Sequence, residues 1–229
     1  MIESQRAEGV AVRERGGIVR VDTIRAGRRS RLRKMQAQYF YTLEEQMPKA
    51  GDVIENPITT DRIIFRKTRQ DTNGELLQFD NYHKPGGVGP NPHFHPLQEE
   101  TFEVVGGTFG LTRNGKEQLL AAGEKAIVPK GTIHHWRNAG KDELHIITEF
   151  RPALHFEEII ETVAALARAG KMDKAGNPDI LQMAATLSYY PGELYLASNP
   201  PVFVQRLLTW LLGPILRRFF GYPVCYPYK

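Results

Sequence analysis

Two histidines two residues apart set the strongest limit on how this chain can fold. His93 and His95 lie in the stretch from residue 87 to residue 107, and alternate side chains of a β-strand share one face. Both imidazoles can therefore point at the same metal ion from an extended backbone. A third histidine, His134, follows the turn-forming residues Pro129-Lys130-Gly131. We expect His134 to return from another part of a β-fold and to join the pair.

A carboxylate beside the histidines comes from one of two adjacent residues, Glu99 or Glu100. Neighbouring side chains of one strand point to opposite faces. If Glu100 points inward, Phe102 and Val104 follow it, whereas an inward Glu99 would carry Glu103 inside as a second carboxylate. Because burying an unpaired charge is costly, we predict that Glu100 is the inward residue.

The resulting ligand set is three imidazoles and one carboxylate, from His93, His95, Glu100 and His134. This mixture suits one divalent transition metal, namely iron, manganese, nickel, cobalt, copper or zinc, and disfavours calcium and magnesium. On a six-coordinate ion two positions would stay open for a substrate or for dioxygen. The side chains that we expect to wall the adjacent pocket are Phe102, Val104 and Trp136. The sequence identifies no separate catalytic residue.

The spacing of these residues resembles that of the cupin superfamily. Its first motif is matched by Gly87, His93, His95, Glu100 and Gly107. Its second motif is matched by Gly123, Pro129, Gly131, His134 and Asn138. The resemblance implies an all-β fold, a cupin-type antiparallel β-barrel or jelly roll, with the metal held inside it. Some cupins keep the barrel without the metal, so a binding role without chemistry is the alternative.

The strand pattern favours the same architecture. Short strands separated by Gly and Pro, with no helix between them, are typical of an antiparallel barrel. We predict them at residues 61–68, 75–83, 101–105, 108–112, 118–121, 125–128 and 144–150, with 38–41 as a further short edge strand. Asn114-Gly115 predicts a two-residue hairpin loop. After residue 154 the apolar period becomes helical, and we predict helices at 155–169, 178–190 and 201–220.

The chain is therefore predicted to have three parts: a basic arm (1–35), a barrel (36–153) and a helical extension (154–229). Residues 1–34 hold ten Lys or Arg against four Asp or Glu, and the rest of the chain holds 20 against 22. The basic character belongs to the arm, which has no aromatics among its arginines, so we do not expect a nucleic-acid partner. The single cysteine, Cys225, and the absence of a signal-like N-terminus favour a cytoplasmic protein.

The most apolar segment of the chain is residues 201–220. One interpretation is a helix packed on the barrel or on a second subunit of a homodimer. A second is an interfacial helix at a membrane surface, with Trp210, Phe219 and Phe220 in the lipid and Arg217 and Arg218 at the head groups. A third is a lid over the mouth of the barrel.

Taken together, the sequence predicts a metal-dependent cupin that acts on a small organic molecule inside the barrel. Dioxygenase-like oxidoreductase chemistry is the favoured reaction class. The alternatives are a metal-dependent isomerase or lyase, and a ligand-binding or sensing module without turnover.

Overall fold

The computed structural model describes residues 47–87, 89–173, 176–197, 200–225 and 228. Two expectations, the basic arm at 1–35 and the edge strand at 38–41, lie outside these residues. From Pro48 onward the chain forms one compact unit.

Eleven strands are present in the described part of the chain, and every pairing between them is antiparallel. They are β1 Val53–Glu55, β2 Asp61–Lys67, β3 Leu77–His83, β4 His93–Phe94, β5 Glu99–Gly106, β6 Thr108–Arg113, β7 Lys116–Ala121, β8 Lys125–Val128, β9 His134–Asn138, β10 Leu144–Arg151 and β11 Tyr195–Leu196. One sheet has the order β1-β2-β3-β10-β5-β8, and the other β11-β4-β9-β6-β7. The predicted fold class, an antiparallel jelly roll with C-terminal helices, is confirmed.

The hairpin from β6 to β7 shows how local sequence sets the strand register. Arg113 pairs with Lys116 across the turn, and the two residues between them, Asn114 and Gly115, both have positive φ, 47° and 79°. Positive φ at both central positions defines the type I′ turn, which Asn-Gly adopts readily and which matches the twist of paired strands. The predicted two-residue loop is confirmed.

The main core lies between the two sheets. Strands β5, β8 and β10 of one sheet and β6, β7 and β9 of the other supply its buried residues, which are Phe102, Val104, Phe109, Leu111, Leu120, Ala126, Val128, Trp136, Leu144 and Ile146. Strands β5, β8, β9 and β10 alternate buried and more exposed positions over much of their length, as expected for a sheet with one face on the core.

In the described part of the chain, three helices lie after β10: α1 Phe156–Arg168, α2 Ile180–Leu187 and α3 Val202–Phe219. A second apolar cluster joins α1 to β1, β2, β3 and β10. Helix α2 begins after Asp179, whose carboxylate accepts a hydrogen bond from the backbone N–H of Gln182 at 2.8 Å. This is a normal N-terminal cap. None of the described helices is long and apolar enough to cross a membrane.

Two short strands, β1 and β11, were not predicted. Strand β11 lies between α2 and α3, within the region predicted to be only helical, and it pairs with β4 at the edge of the five-stranded sheet. A backbone hydrogen bond from Ala197 N–H to the Pro92 carbonyl, 2.8 Å, continues this pairing. The strand that carries His93 is therefore held by a segment from the C-terminal part of the chain. The division of the chain into three domains stays a prediction.

Candidate metal centre

Three elements from both sheets bring the four predicted ligand side chains together. Strand β4 carries His93, which is directly opposite His134 on β9, and His95 follows β4 in the chain. Glu100 reaches the same place from β5, in the other sheet. One ligand atom from each of the four residues lies within 4.8 Å of all the others, and all four residues are buried. A group of three histidines and one glutamate with this geometry could hold a metal ion.

Strand β5 alternates as its sequence predicts. Glu100, Phe102 and Val104 are buried, whereas Glu99 and Glu103 are only partly buried. The carboxylate of Glu103 forms an ion pair with Lys125 at 2.7 Å on the outer face. The structure therefore places Glu100, and not Glu99, inside the barrel.

Main-chain carbonyls place a proton on Nδ1 of all three imidazoles. The Nδ1 atom of His93 lies 2.8 Å from the Asn91 carbonyl oxygen, and that of His134 lies 2.9 Å from the Thr132 oxygen. The Nδ1 atom of His95 lies 2.9 Å from the Glu193 oxygen. A carbonyl only accepts hydrogen bonds, so each Nδ1 must carry a proton. Nε2 is then the ring atom of each histidine that can bind a metal ion, and the second ring nitrogen of a metal-binding histidine is usually held by such a hydrogen bond.

The inward-facing atoms fit a metal ion. The Nε2 atom of His95 is buried and has no hydrogen-bond partner, which is an uncommon and costly state for a polar atom. It lies 3.8 Å from Glu100 Oε2, and the same oxygen is 2.7 Å from His134 Nε2. An ion among these atoms would satisfy the orphaned nitrogen and would be neutralised in part by the carboxylate.

Comparison with known proteins identifies the region that contains this site. Residues 83–149 match the sequence profile of the family described as the cupin domain. Residues 83–149 are a cupin domain. This segment runs from the end of β3 into β10 and includes all four ligand residues.

Relatives of the cupin domain include plant and fungal proteins. A germin-like protein of Arabidopsis thaliana is 40% identical over 75 residues, which are 31% of this chain and 34% of the relative. Oxalate oxidase 1 of Hordeum vulgare is 32% identical over 74 residues, 29% of this chain and 36% of that protein. The match thus spans about a third of the length of each. An oxidoreductase of Arthrobotrys oligospora is 23% identical over 216 residues, 79% of both chains.

The electrostatics of the site keep two of its histidines neutral. Burial lowers the pKa of His93 well below its usual range, and the nearby charges of His95 and His134 lower it further. Burial also lowers the pKa of His95, although the Glu100 carboxylate opposes this effect. Burial lowers the pKa of His134 too, but there the hydrogen bond and charge of Glu100 outweigh burial and the net pKa is raised. Neutral imidazole is the form that binds metals.

The three predicted pocket residues of the cupin domain lie in the core next to the site. The ring of Phe102 is 6.4 Å from that of Trp136, and Val104 is 1% exposed. Trp136 is two residues after His134 and also contacts the ring of His83 edge-on at 4.5 Å. These side chains form part of the apolar interior of the barrel. Their contact with a bound small molecule stays a prediction.

Two aromatic rings that the sequence did not single out contact a ligand histidine directly. Phe150 on β10 and Phe156 on α1 meet the ring of His95 nearly at right angles, at centroid distances of 5.2 and 4.9 Å. Phe150 is paired with Glu100 across the β5–β10 ladder. The period-2 pattern of β10 marks Phe150 as inward, but its position beside His95 follows only from the register of two distant strands.

Glu193 also escaped the sequence interpretation. Its main-chain carbonyl accepts the His95 proton, and its carboxylate accepts hydrogen bonds from the backbone N–H of His155 at 3.0 Å and from His155 Nδ1 at 2.8 Å. Glu193 is 4% exposed. It ties the start of α1 to the candidate ligand His95, and no local motif marks a residue that acts through its carbonyl.

The remaining histidines lie outside the ligand group. His135 is partly buried on β9, adjacent to His134, and His145 contacts Asp80 on the sheet at 2.6 Å. Asn138, the last residue of the second motif, has a structural role. Its amide donates to the carbonyls of His83 and Asp142, and its side-chain oxygen accepts from Gly140 N–H.

Proposed function

We propose that His93, His95, Glu100 and His134 bind one divalent transition metal and that the cupin domain acts on a small organic molecule beside it, as a dioxygenase-like oxidoreductase. The observation that carries the proposal is the convergence of the four ligand atoms within 4.8 Å. The three Nδ1 contacts support it, because they set each ring in the orientation and tautomer that metal binding needs.

The protein residues have distinct roles in this proposal. Three imidazoles and one carboxylate would hold the ion and would leave positions open on a six-coordinate metal. Glu100 supplies a negative charge that reduces the net charge of the site. Phe150 contacts the ring of His95, and Phe102 and Trp136 are buried in the barrel core. Apolar side chains of this kind limit the access of water and strengthen electrostatic interactions. A bound transition metal would supply Lewis-acid and redox chemistry at this position.

The oxidoreductase class is favoured by the relatives. One is named an oxalate oxidase and another, which matches over 79% of both chains, is named an oxidoreductase. The four protein ligands are compatible with several metals, so the identity of the metal has to come from measurement.

Elemental analysis of protein purified without added metal or chelator tests the metal site. We expect about one transition-metal ion per chain, and we expect His93→Ala and His134→Ala to lose it. His135→Ala is the matched control, because His135 is next to His134 in the same strand and is not in the ligand group. Retention of metal by both ligand variants, or its loss from the control alone, would contradict the proposal.

Oxygen consumption separates the reaction classes. The metal-loaded protein is tested with oxalate, phenols, diketones and sugars, and we expect oxygen uptake with a member of this panel that His134→Ala lacks. Substrate conversion without oxygen uptake would replace the oxidoreductase with a metal-dependent isomerase or lyase. Saturable binding with no conversion would identify a sensing module.

A further inference from the structure

Three polar residues of helix α3, Gln205, Arg206 and Arg217, are turned toward the protein. Gln205 donates from Nε2 to the Leu196 carbonyl at 2.9 Å and accepts from the Leu196 N–H. Arg206 Nε donates to the Tyr195 hydroxyl at 3.1 Å, and Arg217 Nη1 donates to the Ala185 carbonyl at 3.1 Å. The two buried residues of the helix are Gly213 and Leu216. The inner face of α3 thus consists of polar side chains, one glycine and one leucine.

The opposite face of α3 is apolar and exposed. Phe203, Trp210 and Phe219 are each more than 70% exposed, and four leucines and one isoleucine between them are 38–49% exposed. At 100° per residue these side chains cover an arc of about 200°. An amphipathic helix of a globular protein normally turns its apolar stripe to the core. The reversed orientation in α3 produces a large contiguous apolar surface, which is typical of a binding surface.

The charge of the segment favours an anionic partner. From Leu194 to Lys229 the sequence has four basic residues and no Asp or Glu. Arg218 is exposed and lies within the apolar arc, close to Leu211 and Ile215 on the helix surface. A partner that covers this face must therefore accommodate a guanidinium among apolar side chains.

These features disfavour other protein segments as the partner. A second copy of α3 would bring Arg218 into an apolar interface without an acidic residue from the same segment, and an unpaired buried charge is strongly destabilising. Residues 1–46 carry ten Lys or Arg against six Asp or Glu, so their net charge has the same sign as that of α3. A lipid surface lacks this conflict, because the arginine can extend to a phosphate while the apolar side chains enter the acyl boundary.

We propose that α3 is a membrane-surface helix that docks the protein on anionic lipid. Its apolar arc, with Phe203, Trp210 and Phe219, lies in the boundary between head groups and acyl chains. Arg218 contacts lipid phosphates. The polar face stays on α2 and β11, so docking requires no rearrangement of the cupin domain.

Vesicle flotation of the full chain tests the docking. We expect binding to vesicles of phosphatidylcholine with phosphatidylglycerol, and at least tenfold weaker binding to phosphatidylcholine alone. Phe203→Ser combined with Trp210→Ser should weaken binding at least tenfold. Arg218→Glu should weaken binding to the anionic vesicles about tenfold. Leu119→Ser on β7 is the control, since Leu119 is 58% exposed on the barrel, and should leave binding unchanged.

Two further measurements distinguish docking from its competitors. Brominated lipid should quench the tryptophan fluorescence of the wild-type protein, which includes Trp210, more than that of a Trp210→Phe protein, whose one tryptophan is the buried Trp136. Without lipid, sedimentation should show no wild-type dimer that depends on α3, that is, no dimer that dissociates when Phe203→Ser and Trp210→Ser are introduced. Such a dimer, equal binding to both vesicle types, or no binding to either would overturn the proposal. Unchanged circular dichroism and metal content show that the variants remain folded.

Discussion

At the level of single residues, the main chain controls the chemistry of the candidate ligands. Each of the three imidazoles donates its Nδ1 proton to a carbonyl oxygen, from Asn91, Thr132 or Glu193. A carbonyl cannot change its protonation state, so this control does not vary with pH. It also survives a change of the side chain at the residue that supplies it, provided that the backbone stays in place.

His83 is a buried histidine without such control. It is 1% exposed, neither ring nitrogen has a hydrogen-bond partner, and burial lowers its pKa to about 4. In the unfolded chain the pKa of His83 is near 6.5, so His83 binds a proton more tightly there than in the folded protein. Above about pH 6.5 the ring is neutral in both states and the free energy of unfolding is not reduced by it. As the pH falls from about 6.5 towards 4, the free energy of unfolding decreases by on the order of 3 kcal/mol.

We predict that His83→Leu removes this acid sensitivity. The variant should be as stable as the wild type or more stable at pH 7, because two unsatisfied buried nitrogens are replaced by an apolar side chain. Its advantage should then grow between pH 6.5 and 4. Urea unfolding at a series of pH values measures the difference in free energy of unfolding.

Thr148→Val is the control for this prediction. Thr148 is also buried with an unpartnered hydroxyl, but it does not titrate in this range. Any gain in the stability of Thr148→Val should therefore be independent of pH. A constant difference between His83→Leu and the wild type from pH 7 to pH 4 would contradict the account of His83.

The ligand residues could be predicted from sequence because they depend on short-range rules. The choice of Glu100 over Glu99 required only the alternation of one strand and the cost of a second buried charge. The carbonyl partners could not be predicted, because every residue has a carbonyl. Its direction depends on the local backbone at Asn91 and Thr132, and on the whole fold at Glu193, which is 98 positions from His95.

At the level of elements, the C-terminal region completes the strand that carries one candidate ligand, His93, and directly precedes another, His95. β4 has only two residues, and it lies between β9 and β11. β11 pairs Tyr195 with Phe94 and Leu196 with His93. Just before it, Glu193 connects the chain to His95 and His155. A two-residue strand with neighbours on both sides is held more firmly than an edge strand, and this favours fixed ligand positions.

We predict that the Glu193 side chain contributes to metal affinity through the backbone that it anchors. Glu193→Ala leaves the His155 N–H without its acceptor and releases the loop that presents the carbonyl to His95 Nδ1. Metal affinity should fall about 10- to 100-fold, the range typical of outer-shell partners. Competition with a chromogenic chelator measures this change.

Glu193→Gln is the matched variant, because its amide oxygen can still accept the hydrogen bond from His155 N–H. It should keep most of the affinity. If Glu193→Ala bound metal as tightly as the wild type, the anchor would have no influence on the site. An equal loss in both variants would instead indicate that the negative charge near His155, rather than the position of the backbone, is what matters.

The helices and the longer strands were predictable from their periodicity, whereas β11 was not. The 201–220 prediction differs from α3, Val202–Phe219, by a single residue at each end. β11 consists of two residues, Tyr195 and Leu196, and a segment of this length is too short to show an alternating pattern. It is a strand only because it pairs with β4. The direction in which the apolar face of α3 points could also not be predicted from the sequence. Periodicity locates an apolar face but does not show whether protein or solvent lies next to it.

At the level of the whole molecule, the candidate site links the two sheets. Glu100 belongs to the six-stranded sheet, and His93 and His134 belong to the five-stranded sheet. Next to the site, the sheets are otherwise held by side-chain packing in the core. A metal ion bound by all four residues would act as a direct connection between sheets, and through Glu193 it would also connect the helical region to the barrel.

We therefore predict that metal removal lowers the stability of the whole unit and not only of the site. A ligand that binds only the folded state adds RT ln(1 + [L]/Kd), which is about 2.7 kcal/mol when the free metal is 100 times its dissociation constant. Urea unfolding of the metal-loaded protein, with and without a chelator, should differ by about this amount. In a Trp210→Phe background, fluorescence from Trp136 in the barrel and circular dichroism from the helices should report the same shift.

The ligand variants give this prediction its sharpest form. His134→Ala should unfold at the same urea concentration with and without chelator, because it has no site to empty, whereas His135→Ala should keep the full chelator effect. If the chelator removed the metal but left wild-type unfolding unchanged, the ion would bind folded and unfolded chains equally, and it would not connect the sheets. A shift seen by circular dichroism but not by Trp136 fluorescence would mean that the helices unfold separately from the barrel.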